Sequence, residues 1–404
     1  MFQRTLFLPD RHSFFLFGPR GTGKSTLMQA LLPPEALRID LLDPVEEDLF
    51  RRDPRELERR AAALHPSVRW IFIDEIQKAP RLLDLVHRLI ETKKHLFALT
   101  GSSPRKLKRG ASNLLAGRAF VFNLHPLTRM ELGASFSLAD ALHWGTLPKV
   151  FQLTSAGEKA LFLQAYALTY LKEEVAAEQL VRKIDPFRNY LEVAAQCNGQ
   201  ILNYTRIAGD VGVDVKTVQA YFAILEDTLI GFHLPAWHRS VRKRQVAHPK
   251  FYLFDPGVKR ALERALHQEI HPRTHAFGTA FEHFVILELK RLNDYSGADY
   301  AFSYLCTKDG AEIDLVLDRP GRPPLLVEIK STEHVKENDV VALARFQADI
   351  KGSRGFCLSL DPHRKKIGAV LCLPWHDAPA ELGIQPPAPR KTQDRLRGDG
   401  NRLR

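Results

Sequence analysis

Apolar residues fall in short runs along this chain, separated by charged or glycine-rich turns, and the first sharp run is Phe14-Phe-Leu-Phe17. Across a glycine-rich turn it is followed by a helix-compatible stretch, Thr26 to Leu32. Ala36 to Leu42 reads as a short strand, and Asp43-Pro44 opens a charged helical stretch running to Glu58. Arg69 to Gln77 is a hydrophobic strand that ends in acids. Pro80 starts an amphipathic helix carrying Leu82, Leu83, Leu85, Val86, Leu89 and Ile90. His95 to Thr100 and Ala119 to Leu124 read as strands, with a basic helix between them from Pro104 to Leu115 that carries Arg105, Lys106, Lys108 and Arg109. Strands alternating with helices predict an α/β core with a parallel sheet.

The pattern then changes. Residues 132 to 153 mix glycine, proline and small residues. Glu158 to Lys183 is helix-compatible, with Leu161, Tyr166, Tyr170 and Leu171 as its apolar stripe, and Asp185-Pro186 is expected to break it and mark a boundary. Three short helices are predicted between Phe187 and Ile230. Within them Ile207, Ala208 and Val211, a turn at Gly212, Asp214 as N-cap, and Val218, Tyr221, Phe222, Leu225 and Leu229 spell helix–turn–helix. Lys216, Thr217 and Gln219 lie on the exposed N-terminal side of its last helix, where residues that read bases or phosphates belong. The basic run His238 to Gln245 would form a wing beside them. Farther on, Phe251 to Asp255 is a strand and Gly278 to Leu292 a helix with Phe281, Val285 and Leu289 inward. Tyr300 to Leu305, Glu312 to Leu317 and Leu325 to Lys330 are strands joined by turns at Asp309-Gly310 and Arg319 to Pro324. Beyond Trp375 the composition shifts to Pro, Gly, Arg and Asp, which predicts a disordered basic tail.

At 404 residues the chain is long for one core. The expected division is a P-loop domain at 1–135, a helical and winged-helix middle domain at 136–245, an α/β domain at 246–376 and the tail at 377–404. An excess of 58 Lys+Arg over 47 Asp+Glu, +11 in all, favours an anionic partner, with nucleic acid first. The four cysteines never form C-x-x-C, which argues against zinc ribbons and disulfide scaffolds and fits a reducing cytoplasm. No apolar run approaches membrane-spanning length and no amphipathic basic helix recommends a membrane surface, so no membrane partner is expected; neither H-E-x-x-H nor G-x-S-x-G occurs.

Candidate chemistry sits in two places. Gly18 to Ser25 satisfies G-x-x-x-x-G-K-[ST] between the apolar run and the helix. Gly18, Gly21 and Gly23 let backbone N–H groups face phosphate oxygens, with Thr26 in the helix that opens behind them. Lys24 is expected on the β/γ-phosphates of ATP, and the Ser25 hydroxyl on Mg²⁺. Asp74, at a strand tip, would hold the hydrated Mg²⁺, and Glu75 would polarise the attacking water. Thr100 and Ser102, at the end of the next strand, are candidates to sense the γ-phosphate. Arg118 precedes a strand where an ATPase can present an arginine to a neighbouring subunit, which implies a homo-oligomer.

The segments Gly18 to Ser25, Ile73-Asp-Glu-Ile-Gln-Lys78, Leu99-Thr-Gly-Ser-Ser103, Leu115-Ala-Gly-Arg118 and Leu124-His-Pro-Leu127 occur in this order. With Ala165 to Val175, they resemble the bacterial and archaeal AAA-type ATPases that carry a C-terminal DUF4143 domain. The resemblance covers most of the chain and implies an AAA+-like core using ATP and Mg²⁺. It also implies the finger role of Arg118.

The second place is Asp314 with Glu328-x-Lys330 on the following strand. Alternation puts Glu328 and Lys330 on one face, and hairpin pairing can bring Asp314 beside them. Two carboxylates can bind Mg²⁺, and the metal with the lysine can activate water against a phosphodiester. This is similar to the PD-(D/E)xK nuclease fold, which the DUF4143 resemblance also implies, with Ile313 where that motif has proline. Glu282, on the preceding helix, matches the fold's accessory helical acid and is expected as a third ligand, whereas Glu288 is expected on the surface. The reading that follows is an ATP-hydrolysing machine acting on nucleic acid, DNA before RNA. The alternative is a slow nucleotide-controlled switch whose C-terminal domain only binds.

Overall fold

A computed structural model describes residues 2–92, 94–104, 117–170, 184–238, 248–307 and 309–387. The first apolar run forms β1 (Ser13–Phe17), buried at every position because helices cover both faces of its sheet. The sheet contains β2 (Leu37–Asp40), β3 (Trp70–Asp74), β4 (Leu96–Gly101) and β5 (Ala119–Asn123) in the order β2-β3-β4-β1-β5. Every pairing is parallel. Strand β4 therefore lies between the glycine-loop strand and the acid-bearing strand. Helix α1 (Lys24–Leu31) follows β1. The charged stretch after Pro44 forms two helices, α2 (Pro44–Arg52) and α3 (Glu56–Ala62), instead of one. Pro54 disfavours helical backbone at Asp53, which sits at φ −130° and ends α2. The amphipathic helix is α4 (Leu82–Glu91). The basic helix expected over Pro104 to Leu115 lies almost wholly outside the described residues.

Residues 132–153 are more ordered than their composition suggests. Helix α5 (Arg129–Leu132) is closed by a capping box between Thr128 and Glu131, and α6 (Leu138–Trp144) is capped by Ser137. Helix α7 (Ala156–Ala165) runs into a π-turn at Tyr166–Tyr170. Its buried side is Ala160, Leu163, Tyr166 and Ala167, while Leu161, expected inward, is 67% exposed. The expected stripe took the wrong face of the helix at that point. Leu171, at the end of that stripe, lies outside the described residues. Asp185-Pro186 lies near the start of the described part of α8 (Ile184–Gln196), and the helix end it is expected to mark lies outside the described residues. Helices α9 (Tyr204–Val211) and α10 (Val215–Asp227) form the helix–turn–helix, with Gly212 left-handed at the turn and Asp214 capping α10. An antiparallel pair follows, β6 (Gly231–Leu234) with β7 (Lys250–Leu253). Most of the basic run expected as a wing falls between these strands, outside the described residues.

The C-terminal part begins with α11 (Pro256–Leu262) and the long α12 (His275–Ser296). Strands β8 (Ala301–Cys306), β9 (Glu312–Arg319) and β10 (Arg322–Lys330) form an antiparallel meander. Helix α13 (Val341–Asp349) then crosses to β11 (Arg354–Ser359), parallel to β10, before β12 (Lys365–Ile367) and β13 (Val370–Pro374) complete a six-stranded sheet. The expected disordered tail begins too early. Helix α14 (Ala378–Leu382) is short but amphipathic, and it buries Ala378, Leu382 and Ile384 against α12 and the sheet. Residues 388–404 lie outside the described residues. No helix among the described residues is long and apolar enough to cross a membrane.

Glu288, expected on the surface, is 3% exposed on α12 and accepts a hydrogen bond from the backbone N–H of Arg129 at 2.9 Å. Neighbouring elements enclose α12 on most sides, so Glu288 and Arg291 are buried with its apolar residues. Burial raises the Glu288 carboxyl from 4.5 to about 7, against the opposing pull of Arg291. Because the folded value lies above the unfolded one, the unfolded chain loses this proton first as pH rises. The stability contribution is therefore complete below about pH 4.5 and is lost as pH rises through about 7. Glu288→Gln should remove from the pH profile of urea unfolding a loss on the order of 3 kcal/mol across that window. Parallel profiles for the two proteins would contradict the assignment.

Candidate functional site

The loop from Gly18 to Gly23 wraps the C-terminal end of β1. Gly18 is required by close approach, since a Cβ there would stand 2.3 Å from the carbonyl oxygen of Leu124. Gly23 sits at φ 92° and N-caps α1, so only glycine turns the chain there without strain. Thr22 closes the loop through its hydroxyl to Pro19 O at 2.8 Å. Lys24 is buried and donates to Gly18 O at 2.7 Å and Pro19 O at 3.3 Å, so its ammonium lies inside the loop that the phosphates would occupy. Thr26, in the first turn of α1, is exposed.

Parallel pairing carries Asp74 from β3 to the same mouth. The Ser25 hydroxyl donates to Asp74 Oδ2 at 2.5 Å, and the Thr100 hydroxyl donates to Asp74 Oδ1. The structure thus puts Thr100 against the acid, while Ser102 accepts from Gln77 Nε2 at 3.2 Å. Glu75 adopts the left-handed region at φ 57°, which costs a non-glycine residue on the order of 1–2 kcal/mol. That turn points the Glu75 N–H at Thr100 Oγ1, 3.4 Å away, and lets Gln77 bond its carboxylate. Arg118 pairs with Glu91 of α4. The register Ser13↔Ala119 and Phe17↔Asn123 puts Arg118 at the end of the sheet opposite Gly18. It cannot reach the nucleotide of its own loop.

The second cluster forms where β9 and β10 part. Their ladder ends at Leu315↔Val327, leaving Asp314 and Glu328 next along the diverging strands. Asp314 Oδ2 accepts from the Ile329 N–H at 2.7 Å, and Lys330 Nζ donates to Glu328 Oε1 at 2.5 Å. Glu328 is 7% exposed, and its Oε2 has no hydrogen-bond partner among the described residues. Burial, then Glu282 and Glu328, push Asp314 well above the usual carboxylate range, and burial with Glu282 and Glu312 raises Glu328 despite Lys330. Repulsion within a buried acid cluster is what a bound cation relieves, and the orphaned Glu328 oxygen has the chemistry of a hard-metal ligand.

Glu282, expected as a third ligand, stands beside this pair with partners of its own. Its Oε1 accepts from the Tyr252 hydroxyl at 2.7 Å and lies 3.6 Å from Lys250 Nζ. Among the described residues no three of His, Cys, Asp and Glu form a metal cage. A metal at Asp314 and Glu328 would complete its shell with water and phosphate, as Mg²⁺ commonly does. Sequence reasoning missed Lys250, Tyr252 and Glu312. Pro249-Lys-Phe-Tyr252 carries no motif, and only the packing of the β6–β7 pair against β8 brings it here. Arg4, next to the N-terminus, was missed for the same reason. Its guanidinium donates to Thr22 O at 2.8 Å and His125 O at 2.6 Å in the first domain, and to the Tyr295 hydroxyl of α12 at 3.0 Å.

Thr100 is the hinge of the acid pair, so Thr100→Val should lower stability by about 1.5–3 kcal/mol, the worth of a hydrogen bond to a charged group. Thr100→Ser should recover most of it in the same denaturant titration. Equal stability of the Val variant and the parent would show that this bond carries nothing.

A family described as an AAA domain matches residues 10–133. A domain of unknown function, DUF8612, matches residues 135–269, and a second, DUF4143, matches residues 277–377. Uncharacterised proteins of Mycobacterium tuberculosis (strain ATCC 25618 / H37Rv) and Mycobacterium bovis (strain ATCC BAA-935 / AF2122/97) are each 30% identical over 317 residues, spanning 76% of this chain and 68% of theirs. Among solved structures, the DNA clamp loader delta protein YqeN of Bacillus subtilis matches at 13% identity over 69% of this chain and 96% of that one. Its TM-score is 0.24, too low to carry an argument. With a parallel sheet whose loop and acid strand are separated by one strand, and with relatives matched over most of its length, the chain belongs to the family that joins an AAA domain to a C-terminal DUF4143 domain.

Proposed function

We propose that the chain hydrolyses ATP and uses the cycle to act on nucleic acid. The observation that carries the first half is the hydroxyl–carboxylate chain Ser25–Asp74–Thr100 at the mouth of the glycine loop, with the strained Glu75 beside it. Ser25 and Asp74 would hold Mg²⁺, which supplies charge neutralisation for the β/γ-phosphates. Lys24 binds those phosphates, the loop N–H groups orient them, and Glu75 takes a proton from the attacking water. Arg118 serves a neighbouring copy. Phe120 and Val121, each 50% exposed on the edge strand beside it, supply apolar surface for that contact.

For the second half, Asp314 and Glu328 would hold Mg²⁺ and Lys330 would face a phosphodiester in a PD-(D/E)xK-type site. The order α12-β8-β9-β10-α13-β11 and the parting of β9 from β10 at the acids support this reading. The exposed Lys216 and Gln219 on a winged helix built from α9, α10 and the β6–β7 pair supply DNA contacts. Coupling is supported by contacts on the phosphate-sensing strand and loop. Ser103 Oγ donates to Asp227 O at the end of α10 at 2.9 Å, and the Tyr166 hydroxyl donates to Arg20 O at 2.8 Å.

Mg²⁺-dependent turnover should fall by roughly 10²-fold or more in Lys24→Ala and in Glu75→Gln, with fluorescent-nucleotide binding kept in the latter. Intact turnover in both variants would sink the ATPase reading. Metal-dependent cleavage of DNA or RNA should be lost in Asp314→Ala and Lys330→Ala. A parent protein that cuts no substrate with Mg²⁺ or Mn²⁺ removes catalysis from the C-terminal domain and leaves the non-catalytic switch.

A further inference from the structure

Four carboxylates gather around the diverging ends of β9 and β10, and two ammonium groups answer them. Lys330 belongs to the same sheet and pairs with Glu328. Lys250 comes from β7, within the segment matched by the other domain of unknown function. Several bonds fix its approach. The Ala236↔Tyr304 bridge joins the end of the β6 strand to β8, Tyr304 N donates to Pro235 O at 3.0 Å, and the Tyr304 hydroxyl donates to His248 O at 2.6 Å. The Lys250 ammonium stands 5.5 Å from the Tyr304 ring centroid, is 4% exposed, and bonds Glu312 while lying 3.6 Å from Glu282.

We propose that Lys250 is a positioning residue: it sequesters Glu282 and Glu312, so that a divalent cation at this site takes only Asp314 and Glu328 as protein ligands among the described residues. The inference rests on the cation-site reading above and deepens it. A buried ammonium draws the nearest carboxylates to itself, and Tyr252 holds Glu282 in the same place through its hydroxyl. With a cation bound and all four carboxylates ionised, four negative charges less two positive ones leave two, the charge of one divalent ion. Without Lys250, Glu282 and Glu312 become free to turn toward Asp314, and the net charge grows by one.

Equilibrium Mn²⁺ binding by electron paramagnetic resonance, on nucleotide-free full-length protein carrying Ser25→Ala to silence the glycine loop, tests this. The parent should bind one Mn²⁺ at this site, with Asp314→Asn weakening it by about 50-fold or more. Glu282→Gln should change affinity by less than about 5-fold, because that carboxylate is not a ligand. Lys250→Met should bind about 10-fold more tightly, Lys250→Arg should match the parent, and Glu282→Gln added to Lys250→Met should cancel most of the gain. A loss in Glu282→Gln as large as in Asp314→Asn overturns the inference, as does parent-like binding by Lys250→Met. The Glu282→Gln arm decides the matter if Lys250→Met does not fold. A parent whose Mn²⁺ binding is untouched by Asp314→Asn removes the cation site itself, a failure distinct from the other two.

Discussion

The Arg4 guanidinium holds the molecule's two ends against each other. It is almost wholly buried, where an unpaired charge would cost far more than a fold can supply, so every group around it is fixed by the need to satisfy it. Glu131 answers its charge at 3.0 Å, and burial is outweighed by Tyr295 and Glu131, which keep the guanidinium above its ordinary value. Glu131 meanwhile caps α5 and accepts the Thr5 N–H at 2.8 Å. One buried charge thus fixes the glycine loop through Thr22, the exit of β5 through His125, and α12 through Tyr295.

Helix α12 is the element this constraint orients. Tyr295 lies at one end, against the glycine loop's support, and Glu282 lies thirteen residues earlier, beside the acid cluster, about 20 Å away by helical rise. Between them Arg291 is also buried, donating to Leu127 O at 3.1 Å, Thr146 Oγ1 at 2.8 Å and Phe254 O at 2.9 Å. All three matched segments therefore meet on one helix through charged groups rather than apolar contact alone. Such contacts have discrete arrangements, because a displaced guanidinium must find a new full set of acceptors.

The candidate sites follow a common rule. In each, parallel or antiparallel pairing delivers an acid to a strand end, and a neighbouring strand supplies the group that orients it. Thr100 on β4 does so for Asp74, and the Ile329 N–H on β10 does so for Asp314. Lys250 adds a second device at the C-terminal cluster, a buried cation from another segment that divides the carboxylates among different tasks.

The strands of the first domain were legible in the sequence because their signals are local. Phe14 to Phe17 is continuously apolar, and the glycine spacing from Gly18 to Gly23 dictates the loop whatever surrounds it. Asp214 and Gly212 likewise announce the helix–turn–helix through capping chemistry alone. Local signals failed where a residue's environment is set from afar. Glu288 reads as a surface acid until α12 is enclosed, and Ala378 to Leu382 reads as tail until the core accepts it. The residues that orient the sites without any sequence signal (Arg4, Tyr252 and Lys250) carry no motif, since they lie from 18 to 291 positions from the groups they serve. The sequence by itself determined the nucleotide loop, its acid and the strand pair bearing Asp314 and Glu328. Only the tertiary structure decided which carboxylates remain for a cation and how a buried arginine ties the loop to the far helix. A charge's partner is chosen by proximity in space, which the order of residues along the chain does not record.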